Sequence, residues 1–267
     1  MIGELAAAIP DGATVALAQD SVGVSMAATR ELVRDGVRDL DLVGVPISGL
    51  QADVLIGAGC VRSIETSAVT LGEFGTAPRF AAALKAGTIR VLDSTCPAIH
   101  AALQAGQKGL PFMPLRGLIG SDLVRHRSDW KVIDNPFGAD DPIVLLPAIR
   151  PDFALFHAPL ADTKGNVWIG RQRDLLVIAQ ASKQSLVTVE AVTDEDLMRD
   201  EVRAAGVIPA MYVSRIALAP GGARPLKFQD HYARDDAAVA RYAAMARTDD
   251  GFCEWLEEWL QADAIAA

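Results

Sequence analysis

The sequence predicts an α/β fold, an open, mostly parallel sheet with helices on both faces. Two observations carry this reading. Short apolar runs alternate with amphipathic stretches, and glycines stand where those stretches should stop. No Gly/Ser or Pro tract divides the chain, so residues 1–267 are expected to form a single domain.

Thr14–Ala18 is a short apolar run after the turn dipeptide Asp11-Gly12 and reads as a buried strand. Between positions 25 and 35, Met26, Ala27, Leu32 and Val33 recur at helical spacing, and Gly36 closes that helix. Leu40–Val45 is the next strand. Strands follow near 54–56 and at 62–66, then a helix Pro78–Ala86 ended by Gly87, a strand at 89–92, and a helix at 97–107 ended by Gly109. The second half continues with the same kind of unit: strands at Pro142–Pro147, 153–156, 184–189 and 216–219, and a helix at 175–182. The tail, from 235 to 260 or about 262, reads as helix. Its Trp255 and Trp259, four residues apart, form an aromatic stripe for docking.

Composition bounds the function. With 51% hydrophobic and 22% charged positions among 267 residues, the chain can build a core and is not a disordered segment. A formal charge of −9 argues against nucleic acid as the main partner. No apolar run reaches the roughly 18 residues of a membrane span, and the first ten residues lack a basic leader, so a cytoplasmic globule without membrane contact is expected. Cys60, Cys96 and Cys253 are odd in number and far apart, which suggests no disulfide framework. The histidines, His100, His126, His157 and His231, are equally scattered, so no metal site is expected.

The phosphate-binding GxxxxGK[ST], a GxGxxG after the first strand, and the GxSxG nucleophile elbow are all missing. Four local features stand out instead. The turn Gln19-Asp20-Ser21-Val22-Gly23 joins the first strand to a helix, where parallel sheets collect ligands. Gly72-Glu73-Phe74-Gly75 sets a carboxylate between glycines, a place for a basic or nucleophilic Glu73. Asp93-Ser94-Thr95-Cys96-Pro97 puts a thiol at a helix start, a setting that favours thiolate, so Cys96 is a candidate reactive group. Positions 110–123 bracket an apolar stretch with prolines and glycines, too irregular for helix or strand, and suit a substrate-lining wall that includes Gly120 and Ser121.

These features, in this order, resemble the α (A) subunit of class I coenzyme A transferases, especially the glutaconate CoA-transferase A-subunit branch. Asp11-Gly-Ala-Thr-Val-Ala-Leu17 is similar to the family's opening strand, and Gly36-Val-Arg-Asp-Leu40 to the end of its first helix. Leu110-Pro-Phe-Met-Pro114 with Gly120-Ser121 resembles the branch's Leu-Pro-Phe-Leu-Pro segment and Gly-Ser loop, and Ile133-Asp-Asn135-Pro-Phe137 resembles another typical stretch. Asp152-Phe-Ala-Leu-Phe-His-Ala158 with Asp162-Thr-Lys-Gly-Asn166, and Leu218-Ala-Pro-Gly-Gly-Ala223, complete the series, which runs from about residue 11 to 260.

The resemblance implies a CoA-transferase-type fold and a homologous β-type partner, in a heterodimer or α2β2 assembly. It implies acyl-CoA and a small carboxylate as substrates, with no permanently bound cofactor. In that family a glutamate attacks the acyl-CoA thioester, giving an acyl-glutamyl anhydride and then a glutamyl-CoA thioester. That glutamate sits in the β-type half, in a Ser-Glu-Asn-Gly-like motif that this chain lacks; Gly72-Glu73-Phe74-Gly75 lies too late to be its counterpart. Substrate contacts are expected from Gln19, Asp20, Ser21, Gly23, Gly120, Ser121 and Asn135. Two departures stand out: the family's Gly-Gly-Phe turn is here Ala18-Gln19-Asp20 with Met26 in place of its nearby proline, and Cys96 aligns with its usual Gln. A related branch, a steroid-degradation hydrolase that opens a cyclic β-diketone acyl-CoA, carries a catalytic glutamate near that position. The alternatives to a transferase are therefore a CoA-dependent hydrolase or ring-opening subunit of the same fold, and a non-catalytic binding subunit. The 51% apolar content suits one half of an assembly, whose partner face draws on the same residues as the core.

Overall fold

The computed structural model describes residues 1–261. Residue 262, the far bound expected for the tail, lies outside the described residues. The chain runs α1 (Ile2–Ala6), β1 (Thr14–Ala18), α2 (Met26–Arg34), β2 (Leu40–Val45), α3 (Leu50–Gly57), β3 (Val61–Thr66), α4 (Pro78–Ala86), β4 (Arg90–Asp93) and α5 (Cys96–Gln107). Next come β5 (Phe112–Leu115), α6 (Leu123–His126), β6 (Lys131–Asp134) and β7 (Pro142–Pro147). The remainder is β8 (Phe153–Asp162), β9 (Val167–Trp168), α7 (Arg173–Ala181), β10 (Gln184–Thr193), β11 (Val207–Ile208), β12 (Arg215–Leu218), α8 (Asp236–Met245) and α9 (Asp249–Gln261).

Parallel pairing orders the main sheet β4-β3-β2-β1-β8-β10-β12, and β9 and β11 add an antiparallel margin beside β8. Alternation along β1 feeds two cores. Val15 and Leu17 face α2, α3, α8 and α9, whereas Ala16 and Ala18 face Ile99 and Leu103 of α5 and Leu175 and Ile178 of α7. Helices thus cover both faces, as the sequence predicts. The chain builds outward from β1 to β4 on one side and returns through β8, β10 and β12 on the other, so the order reverses between β1 and β8. That reversal puts the ligand-accepting edge at the carboxyl ends of these strands.

Three expectations are corrected. The run at 54–56 is not a strand but part of α3, whose residues from Leu50 to Ile56 are all buried. A helix with no solvent face shows no amphipathic period, and its apolar core then reads as a strand. The strand Pro142–Pro147 exists but belongs to a separate antiparallel sheet, β5-β7-β6. Parallel pairing needs a crossover of a dozen residues or more, usually helical, and only the short α6 is available here. The stretch at 110–123 includes β5, where Pro114 is tolerated because β5 pairs only with β7, on one edge.

The tail forms two helices, and its aromatic stripe docks. Trp255 lies 4.6 Å from the Tyr242 ring and 5.3 Å from Trp259 between ring centroids. Asp53 of α3 ties this layer together. Fully buried, it accepts N–H bonds from Phe80 (2.6 Å) and Arg79 (3.3 Å) at the start of α4, and the Tyr242 hydroxyl donates to it at 2.6 Å. Burial pushes its carboxyl up, and these three donors oppose the shift. Tyr242→Phe is expected to lower the unfolding free energy by about 1–3 kcal/mol, since it strips a donor from a buried carboxyl. Urea denaturation measures this; an unchanged midpoint contradicts the tie.

Candidate active site

Three strand-to-helix connections converge at the carboxyl edge of the sheet. Gln19, Asp20 and Ser21 follow β1, Ile47, Ser48 and Gly49 follow β2, and Thr70, Leu71 and Gly72 lie beyond β3. Leu226, Lys227 and Arg234, from the segment between β12 and α8, close the other side, leaving a cavity of about 440 Å³. Its formal charges balance, with Asp20 and Asp236 against Lys227 and Arg234. A chain of charge −9 thereby keeps a site that does not repel anions.

Asp20 is the unusual group in this wall. Its Oδ2 accepts the N–H of Leu50, in the first turn of α3, at 2.9 Å, while Oδ1 is buried without a hydrogen-bond partner among the described residues. Burial pushes the carboxyl up to about 6; the Leu50 N–H opposes this, the nearby Asp53 adds to it, and Arg234 draws it back. The carboxyl lies directly over Gly49, where a Cβ would come within 2.1 Å of Oδ2, so only glycine fits there. Beside it, Ser48 is 4% exposed and its Oγ also has no hydrogen-bond partner among the described residues. Arg234 is held at the rim by Glu73 at 2.9 Å and Asp236 at 2.5 Å, with its guanidinium 5.1 Å from the centroid of the Phe74 ring.

The segment carrying Lys227 and Arg234 is pinned to the sheet by a buried polar cluster. His157, at the middle of β8, has Nε2 donating to Glu190 Oε1 at 2.7 Å and Nδ1 2.8 Å from Thr188 Oγ1. Glu190 also accepts from the Gly221 N–H (2.8 Å) and the Tyr232 hydroxyl (2.7 Å). Gly222 crosses the imidazole so closely that a Cβ would meet His157 Cε1 at 2.8 Å. Phe228, fully buried, packs its ring 4.6 Å from the imidazole. Burial raises the Glu190 carboxyl, but the bonds from His157, Gly221 and Tyr232 outweigh it and hold it at about 2.

A family model for coenzyme A transferase matches residues 1–219. The chain belongs to the coenzyme A transferase family. Among curated relatives of this coenzyme A transferase chain, the 3-oxoadipate CoA-transferase A subunit of Pseudomonas knackmussii is 33% identical over 95% of this chain and 89% of that protein. The cholesterol ring-cleaving hydrolase IpdA subunit of Mycobacterium tuberculosis is 30% identical over 91% and 86%. Among solved structures, glutaconate coenzyme A-transferase from Acidaminococcus fermentans superposes with a TM-score of 0.91 at 28% identity, covering 97% of this chain and 87% of that one. A variant of the decarboxylase AibA/AibB gives 0.85 at 32% identity, covering 97% of both chains. The relatives thus span transfer, hydrolysis and decarboxylation, and the choice among them rests on the site itself.

In this coenzyme A transferase chain the residues singled out from sequence fall into separate places. Gln19, Asp20 and Ser21 line the cavity. Gly23 lies just beyond, its carbonyl accepting the His157 N–H at 2.8 Å, and a Cβ there would fall 2.3 Å from the His157 carbonyl oxygen. Glu73, with an 82% exposed side chain, stands at the rim on Arg234. Cys96 is the first residue of α5, outside the cavity lining, with Sγ 3.3 Å from Ser67 Oγ. Gly120, Ser121 and Asn135 belong to the small-sheet region: Ser121 donates to the Leu118 carbonyl at 2.7 Å, and Asn135 donates to Asp141 at 2.5 Å and accepts from the Phe137 N–H at 3.0 Å. Among the described residues no His, Cys, Asp and Glu group could hold a metal ion, and no helix is long and apolar enough to cross a membrane.

Sequence reasoning missed Ser48, Gly49, Lys227, Arg234 and the His157–Glu190–Tyr232 cluster. Ser48-Gly49 carries a usable signal, since it follows a predicted strand just as Gln19-Asp20 does. The others come together only through the tertiary path of the chain. Because Glu190 is held at about 2 against an ordinary 4.5, its stabilisation is complete above about pH 4.5 and is lost as the pH falls toward 2. Wild type is therefore expected to lose about 3 kcal/mol from this group between pH 5 and pH 2. Glu190→Gln should lack that component, as measured by denaturation at both pH values; equal acid sensitivity in the two proteins contradicts it.

Proposed function

We propose that this chain is the A-type half of an acyl-CoA enzyme that moves CoA between an acyl-CoA and a carboxylate. Its cavity takes the acyl end, and a homologous B-type subunit brings the glutamate nucleophile. One observation carries the reading: in a coenzyme A transferase family chain, a charge-balanced cavity lies at the carboxyl ends of β1, β2 and β3, where parallel sheets accept ligands. Lys227 and Arg234 suit a carboxylate or a phosphate, and Ser21 suits an acyl oxygen. Glu73 and Cys96 take supporting roles, Glu73 by holding Arg234. The complex is a heterodimer or a two-plus-two assembly working in the cytoplasm, in keeping with three unpaired cysteines. Gly120, Ser121 and Asn135 act in substrate contact only where the assembly brings them to the bound CoA.

A second reading, a subunit of a CoA-dependent hydrolase or carbon–carbon-cleaving enzyme, is favoured by Asp20, a carboxyl that burial pushes up to about 6, in the turn where the resembling family has Gly-Gly-Phe. Product analysis separates the two. Acyl exchange onto a free carboxylate supports transfer, whereas water incorporation or carbon–carbon cleavage supports the second reading.

The test is reconstitution with a B-type subunit. CoA exchange is expected from the complex and not from this chain alone, with Glu73→Gln and Cys96→Ala lowering the rate by less than about tenfold and Leu226→Trp, which fills the cavity, by more than about a hundredfold. A stable monomer with no affinity for any acyl-CoA overturns the proposal.

A further inference from the structure

The small sheet β5-β7-β6 is apolar on both faces. Its register puts Met113, Leu115, Val144 and Leu146 on one side, where Val144 and Leu146 are buried against α5. On the other side lie Phe112, Pro114, Ile143, Leu145 and Ile133, with Lys131 the lone charge among the strand residues there. Phe112 is 44% and Ile133 41% exposed. An antiparallel sheet with one face on the core normally turns polar residues to water on the other, and a contiguous exposed apolar patch marks a docking surface. The turn after β6 adds an anchor, Phe137, which is 96% exposed. Its backbone is nevertheless fixed: the Phe137 N–H donates to Asn135 Oδ1 at 3.0 Å. Across the turn, Asp141 accepts from Asn135 Nδ2 at 2.5 Å and from Arg116 Nε at 2.7 Å. A ring held out on a rigid turn loses little freedom when a partner covers it.

Size, charge and place narrow what covers this face. Three strands of four to six residues present roughly 200–300 Å², against about 800 Å² per partner in a stable complex. The face is therefore the apolar centre of a larger interface. A second copy packed on it would bury Lys131 of both chains with no acid from either face, and a buried unpaired ammonium is costly. A different chain, one that offers a carboxylate, fits better. The small sheet is also fastened to the edge that carries the cavity. Arg127, just before β6, pairs with Glu65 of β3 at 2.9 Å and donates to the carbonyl of Asp93, the last residue of β4, at 3.1 Å. A chain that completes the cavity at this edge therefore stands beside the small sheet. We propose that the outer face of β5-β7-β6, with Phe137 as its anchor, seats the B-type subunit. That subunit lays an apolar patch on Phe112 and Ile133 and sets a carboxylate opposite Lys131. The seat rests on the reading of this chain as one half of a two-chain enzyme.

Binding of the full chain to the B-type subunit of the same organism, measured by calorimetry and by sedimentation, tests the seat. Phe112→Lys and Ile133→Lys should each weaken the complex about a hundredfold, and Phe137→Ala and Lys131→Glu about tenfold. Val202→Lys, at a 91% exposed apolar position between β10 and β11, should bind as wild type does. Equal urea midpoints of the isolated chains show that the variants fold. Small-sheet variants that bind as tightly as wild type overturn the seat, and so does a loss in Val202→Lys as large as theirs. Self-association of the wild-type chain that Ile133→Lys abolishes also overturns it, and gives the face to a second copy. If the wild-type chain forms no complex with the B-type subunit, the two-chain reading itself fails, and the seat with it.

Discussion

Much of the site depends on one buried imidazole. His157 sits where the strand order reverses, between β1 and β8, and both of its ring nitrogens are engaged, one by Glu190 and the other by Thr188. Thr188 in turn meets Ser25, the residue that caps α2, at 2.7 Å. Glu190 gathers Gly221 and Tyr232 from the segment before α8. A switch point that would otherwise stand open between β1 and β8 is thereby closed, and the open volume is displaced over β1, β2 and β3. The same cluster carries Lys227 and Arg234 to the far wall of that volume. Removing one member leaves the others buried and unpaired, which is why such a network holds a single geometry.

The charge pattern follows the same economy. The chain carries an excess of acids, yet the cavity is formally neutral because Lys227 and Arg234 answer Asp20 and Asp236. Glu73 and Asp236 grip Arg234 and limit its reach, leaving Lys227 as the cation with no ion-pair partner among the described residues. Asp20, squeezed between Gly49 and the start of α3, is an acid whose carboxyl burial pushes up to about 6. Membership of the coenzyme A transferase family sets the fold and the expectation of a second subunit. The chemistry of the first turn sets this chain apart within it.

Much of the fold was legible in the residues. The strands at β1 and β2 are short apolar runs with turn dipeptides or glycines between them, and helices such as α4 end at a glycine that takes a left-handed conformation, Gly87. The Trp255–Trp259 stripe gave the docking of the tail. Legibility failed where solvent does not mark a face: α3 is buried all round, so its period vanished. It failed again in the small sheet, where β7 reads as a strand but β5 and β6, of four residues each, are held by antiparallel register rather than by pattern. For the site, the turn after β1 could be located because topology favours that edge. The cluster of positions 157, 190 and 232 has no local motif, since its members meet only after two crossovers and the return of the chain over the sheet.

The most direct measurement is a crystal structure of this chain with its B-type partner and a bound acyl-CoA. The acyl group is expected in the cavity, between the turns after β1 and β2 on one side and Lys227 and Arg234 on the other, with the partner's glutamate facing the thioester. A complex in which the acyl group lies elsewhere would contradict it.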